Sequence, residues 1–177
     1  MTSTSNHLLR RTRFPRCGIA SLTAAFASRD RMQRENARQR ILAIGAPAVP
    51  ALIKCLSHPS RLVRGEAAKT LGQIKDPSAG PALVGALEDD DRDIRRLAAA
   101  GLVGLGHKGL APLLSALIER PGSLWLRQGA HHVCHDLART EAAALVRPVL
   151  AALSTSAPQR TVPPAAHAAL HALSQLC

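Results

Sequence analysis

The sequence predicts an all-α protein, a right-handed α-solenoid of about five stacked helix pairs, and three observations carry that expectation. Aromatic residues make up only 2% of the chain while Ala and Leu dominate an apolar content of 46%, a composition that favours helices over a sheet built from β-branched and aromatic side chains. A motif led by arginine recurs at Arg34, Arg64, Arg95 and Arg127, in steps of 30, 31 and 32 residues. Each copy carries small or apolar residues three, seven and ten positions after its arginine, the spacing of one helix face.

The arginine-led segments are the second helices of the repeats. Asp30, Ser60, Asp91 and Ser123 each stand four residues ahead of the arginine, and their side-chain oxygens suit the free amides of a first helical turn. Shorter apolar helices are expected between them over 47–56, 79–87, 110–118 and 141–153, with Pro50, Pro81 and Pro112 at matching positions near their starts. The leading helix of the first repeat falls on 19–26, because Leu22 and Phe26 align with Leu52 and Leu56. A fifth, weaker copy sets Ala166, Leu170 and Leu173 in the apolar slots with Pro163 in place of the arginine. The Ser/Thr/Pro-rich stretch 155–164 is read as a loose link before that last helix. Two helices per repeat cannot bury both apolar faces alone, so the pairs must stack.

The domain expected is 17–177, preceded by a disordered basic tail over 1–16. Charge is divided accordingly. Residues 1–40 hold nine Arg against two acids, a net +7, and residues 41–177 hold 14 basic against 10 acidic side chains, a net +4. Arg10 to Arg16 followed by a weakly apolar run ending Ala25-Phe26-Ala27 also follows the order of an export signal. The repeat alignment assigns that run to the fold, with a cytoplasmic location expected and export the alternative if residues 1–29 act as a signal. No stretch is read as a membrane span. Cys17, Cys55, Cys134 and Cys177 are widely spaced and read as thiols.

The runs Leu62-Val-Arg-Gly-Glu-Ala-Ala-Lys-Thr-Leu-Gly-Gln-Ile-Lys-Asp76 and Asp93-Ile-Arg-Arg-Leu-Ala-Ala-Ala-Gly-Leu-Val-Gly-Leu-Gly106 resemble HEAT-like repeats of the phycobilisome-lyase type. The resemblance covers about 17–175 and implies the solenoid fold; such repeats serve many unrelated roles. Deoxyhypusine hydroxylase is similar in repeat and holds a di-iron centre with His-Glu pairs at the starts of second helices. The matching positions here read Glu35-Asn36, Gly65-Glu66, Arg96-Leu97 and Gln128-Gly129; none is a His-Glu pair, so that activity is not expected. Phycobilin lyases share the repeat without a motif that can be placed here. DNA glycosylases with such repeats use a basic concave face with aromatics and a catalytic Asp, against one Trp in this chain.

Candidate chemistry is sparse. His131 and His135 lie one turn apart, and His167 and His171 take the same slots of the fifth copy. Facing each other across a junction, the four would form a transition-metal site; packing is the plainer reading, and no cofactor is otherwise expected. The run Glu88 to Asp91 with Asp93 lacks the Gly and closing Glu of a calcium loop and reads as a solvated turn. Arg34, Arg64, Arg95 and Arg127 form a ladder that pairs neighbouring repeats or, with Trp125, meets an acidic partner. There is no Ser-His-Asp arrangement, P-loop or dinucleotide fingerprint. The expected function is therefore a non-enzymatic scaffold or adaptor binding another protein along the second helices. The alternatives are a metal-binding or lyase-like protein, and weak nucleic-acid binding through the basic N-terminal region, which the missing aromatic platform disfavours.

Overall fold

A computed structural model describes residues 18–175. The basic segment 1–16, Cys17 and Cys177 lie outside the described residues. Among the described residues there are ten α-helices and no strand. α1 (Ile19–Ala24) runs on into a 3₁₀ turn at Ala25–Ala27 and is followed by α2 (Arg31–Ile44). α3 (Val49–Cys55) pairs with α4 (Arg61–Ile74), α5 (Gly80–Ala86) with α6 (Arg92–Leu105), and α7 (Leu110–Glu119) with α8 (Leu124–Leu137). α9 (Ala143–Leu153) and α10 (Pro158–Ser174) close the array.

The second helices start where the sequence places them. Asp30, Ser60, Asp91 and Ser123 are the four N-cap residues, and three use their side chains: Asp30 accepts from the Met32 amide, Asp91 from Asp93 and Ser123 from Leu126. Ser60 makes no such bond; its own amide donates to His58 Nδ1 at 3.0 Å. The three- and seven-residue slots form the seam of the stack, with Ala67, Leu71, Ala98, Leu102, Ala130 and Cys134 all fully buried. Pro50 and Pro81 sit in the first turns of α3 and α5, where no amide donor is needed.

Second helices pack on second helices, α2 on α4, α4 on α6 and α6 on α8, with the first helices forming the other layer. Contact is closest between α4 and α6. A Cβ built on Gly72 would lie 2.9 Å from the Gly101 Cα, so only glycine lets these backbones approach so far. α6 and α7 join through a 3₁₀ turn at Gly106–Gly109, and the stretch 92–119 is long and apolar enough to cross a membrane by length and composition, which the sequence reading did not register. Its apolar side chains, including Ile94, Leu102, Leu113 and Leu117, are core residues of the stack.

Two expectations fail at the C-terminal end. The link read over 155–164 is short, because α10 begins at Pro158 and carries Pro163 and Pro164 inside it. Those prolines deprive only the Gln159 and Arg160 carbonyls of their helical donors, and both residues are exposed to water. The start of α10 is fixed instead by Thr161, whose hydroxyl donates to the Ala152 carbonyl at 2.9 Å. The last pair also changes layers. α9 packs beside α8, while α10 packs against α9 and the first-layer helix α7.

Candidate functional site

The arginine ladder is consumed by the fold. Arg34 donates to the carbonyls of Ser28 (2.8 Å) and Arg29 (3.2 Å), Arg64 to those of His58 (3.1 Å) and Pro59 (3.2 Å), and Arg95 to those of Asp89 (2.7 Å) and Asp90 (3.0 Å). Arg127 donates to the Pro121 carbonyl at 2.5 Å. Each arginine thus clamps the turn that leads into its own helix. The first three also reach into the next repeat. Arg34 Nε lies 3.2 Å from Glu66. Arg64 grips Asp89 through Nε at 2.7 Å and Nη2 at 3.0 Å, with Asp90 at 2.5 Å from Nη2. The Arg95 guanidinium carbon stands 3.6 Å from the centroid of the Trp125 ring, a cation–π contact.

The acidic turn is likewise engaged and is not the solvated turn expected. Glu88 pairs with Arg120 and accepts from the Ser123 hydroxyl, and Asp91 faces Arg61 at 3.5 Å. Burial raises the Asp89 carboxyl, but the Arg64 hydrogen bonds and the Asp91 amide outweigh it and hold the group below the usual carboxylate range. The same contact with Asp89 raises Arg64.

The four histidines are not brought together. All are exposed, and α10 packs on α9 and α7 instead of stacking on α8 as a second helix would. Among the described residues no three His, Cys, Asp or Glu side chains form a set able to hold a metal ion. Two of the second-helix positions that would carry iron ligands hold Glu35 and Glu66, both bonded to Arg38, with Arg34 on Glu66 as well. Two guanidinium groups on one carboxylate are the reverse of a cation cradle, so the side chains present do not fit a di-iron centre. Burial pushes the Cys134 thiol up to about 12, which removes it as a nucleophile at neutral pH.

What remains open is the outer surface of the second helices. Arg31, Arg61 and Arg92 form another row, each three residues ahead of a ladder arginine, and all three are exposed. The sequence reading passed over it, although its period is that of the ladder. Two clefts lie on this surface. One of about 560 Å³ between α4 and α6 has mixed charge, with Arg61, Lys69 and Arg96 against Glu66, Asp91 and Asp93. The other, about 300 Å³ between α6 and α8, is lined by Arg92, Arg95, Arg96, Trp125, Gln128 and His132, and no carboxylate lines it. Trp125 is 45% exposed. One ring face is held by Arg95, which explains how so large an apolar side chain is fixed at the rim. Arg92 and Arg96 have no ion-pair partner among the described residues. His132 stands 3.8 Å from Asp136 at the margin.

Comparison with known proteins agrees with this architecture. Residues 19–104 match the family described as HEAT repeats. A deoxyhypusine hydroxylase of Candida albicans is 36% identical over 83 residues, 46% of this chain and 26% of that protein, so the chain spans about a quarter of its relative's length. The complex of CpcE and CpcF of phycocyanin lyase from Nostoc sp. PCC7120 superposes with a TM-score of 0.58 at 22% identity, covering 88% of this chain and 97% of that one. That likeness is one of fold. A designed armadillo repeat protein follows at a TM-score of 0.34 and 15% identity, over 88% of this chain and all of that one, too loose to argue from.

Proposed function

We propose that this chain, whose residues 19–104 match the family of HEAT repeats, is a non-enzymatic scaffold that binds another protein along the outer surface of its second helices. The observation that carries the reading is the division of labour among its arginines. The ladder row is used up inside the fold, whereas Arg92 and Arg96 stand unpaired beside an exposed, anchored tryptophan. Aromatic and arginine side chains at a preformed surface are the residue types that dominate protein interfaces. The solenoid neighbour among phycocyanin lyases is itself a complex of two chains, which supports association with a protein.

The test is site-specific photo-crosslinking in extract of the source cells. A benzophenone side chain at Gln128, on the second-helix surface, should trap a discrete partner. The same group at Gly85, exposed on first-layer helix α5 with nothing within 4 Å, should not. Equal capture from both positions, or none from Gln128, would refute the proposal.

A further inference from the structure

The cleft between α6 and α8 has a chemistry that specifies more than a surface. Its cations, Arg92, Arg95 and Arg96, come from successive turns of α6, its lining includes Ala99 and Gly129, and the Trp125 indole of α8 stands at its rim. We propose that this cleft takes an extended acidic segment of a partner protein, with carboxylates on Arg92 and Arg96 and a neighbouring apolar side chain on the free face of Trp125. The inference rests on the protein-binding role above and names the chemistry of the partner.

Charge complementarity decides the occupant. A carboxylate entering the cleft meets two exposed guanidinium groups that have no other partner among the described residues, and no carboxylate lines the cleft. Exposed arginines give up less on pairing than Arg64 would, since Arg64 is already saturated by Asp89, Asp90 and two carbonyls. Arg95 does not compete either; its guanidinium donates to the turn and lies on the indole. A fork-shaped donor is the natural mate of a planar carboxylate.

A nucleic-acid strand fits less well, for a reason visible in the neighbouring cleft. Arg96 belongs to both clefts, and on its other side stand Asp91, Asp93 and Glu66. A phosphate chain laid along the second helices carries a negative charge at every step and would pass those carboxylates. A peptide sets acidic residues in one cleft and neutral or basic ones in the next. Its volume suits a few side chains and not a folded domain.

The experiment uses the full chain, and Trp125 is its only tryptophan, so emission excited selectively from indole reports on this cleft alone. A random peptide library is selected on the immobilised protein, and the winners are resynthesised with every Asp and Glu kept or changed to the amide. Selected peptides should be enriched in acidic residues and should shift the Trp125 emission. The amide versions should bind at least about ten-fold more weakly, the loss of about one charged contact. Arg92→Glu/Arg96→Glu should lose the peptides by about ten- to a hundred-fold while its far-ultraviolet circular dichroism and melting are unchanged, as both side chains are exposed and unpaired. Absence of enrichment, enrichment without acidic bias, indifference to the double charge reversal, or tighter binding of oligothymidylate would overturn the proposal. Crosslinking from Gln128 separates the two readings. A partner still trapped by the charge-reversed chain leaves the scaffold standing and removes the acidic segment, whereas no partner from either chain removes both.

Discussion

Replacing Arg64 with methionine keeps a helix-forming, linear side chain and removes the best-connected guanidinium of the ladder. Five hydrogen bonds go with it: two to Asp89, one to Asp90, and two to the carbonyls of His58 and Pro59. Breaking a buried pair typically costs about 3–5 kcal/mol, because the abandoned charge keeps its desolvation. The two carboxylates are unlike. Asp89 is only 8% exposed and stays stranded, but Asp90 is 89% exposed and returns to water at no cost. The Arg64 side chain is itself 13% exposed, so water partly replaces it, and the expected loss is about 2–4 kcal/mol out of a typical domain stability of about 5–15 kcal/mol. Arg127→Met is the internal control. Arg127 occupies the same slot of a different repeat but donates to one carbonyl and meets no acid among the described residues, so its cost should be about 1 kcal/mol. Urea unfolding followed by circular dichroism and by Trp125 emission measures both, the two probes together showing whether the repeats unfold as one unit. The difference between wild type and Arg64→Met must also depend on pH. The folded-state Asp89 titrates below its unfolded value, so its contribution is fully present above about pH 4 and is lost as pH falls through the depressed value. The gap between the two proteins should therefore narrow as pH falls below about 4 and through the depressed Asp89 value. Equal costs at the two rungs, or a gap that is constant with pH, would refute the pairing argument.

Gly72→Ala should destabilise by about 1–3 kcal/mol through its clash with the Gly101 backbone, while Gly85→Ala, with open space around it, should stabilise by about 0.5–1 kcal/mol through helix propensity; thermal melts compare them. Lys75 is in the left-handed region (φ 57°) at the end of α4, where its counterparts are Gly45 and Gly106; Lys75→Gly should be neutral to stabilising by up to about 1 kcal/mol, and a loss of stability would mean that the lysine side chain contributes packing worth more than the strain. With Cys17, Cys55 and Cys177 changed to serine, Cys134 should react with a thiol reagent only on unfolding, because its thiol is buried and raised to about 12.

How much of this could be read from the sequence depends on how far apart the interacting residues lie. Helix starts are local, and the four cap residues and the seam of Ala and Leu marked them correctly. The use of Arg64 was half legible: its period marked it as structural, but its partner Asp89, 25 residues on, carried no sign of pairing and was read with its neighbours as solvated. Pro163 and Pro164 close the Ser/Thr/Pro-rich stretch that composition marks as a loose link; in α10 they sit where the carbonyls they orphan are wet. The histidine pairing failed for a non-local reason. The fifth copy keeps the slots of a second helix, but α10 leaves that layer for α7, and no residue spacing announces a change of layer. The outer arginine row shares the ladder's period and is legible in the sequence, but period alone does not separate a row that pairs inside the fold from one that stays in water.

Gly72 and Gly101 meet in the C-terminal halves of α4 and α6, whereas the mixed-charge cleft opens between the N-terminal halves, with Gly65 on its wall. The seven residues from Gly65 to Gly72 span about 10 Å of helix. That arrangement is a lever with its fulcrum at the glycine pair: the closer the two backbones sit there, the more the distance between the Arg61 and Arg96 ends is governed by their tilt. A methyl group added at the fulcrum acts on the width of this cleft without touching its lining, so the opening between the two helices is adjustable from a place where no cleft residue stands.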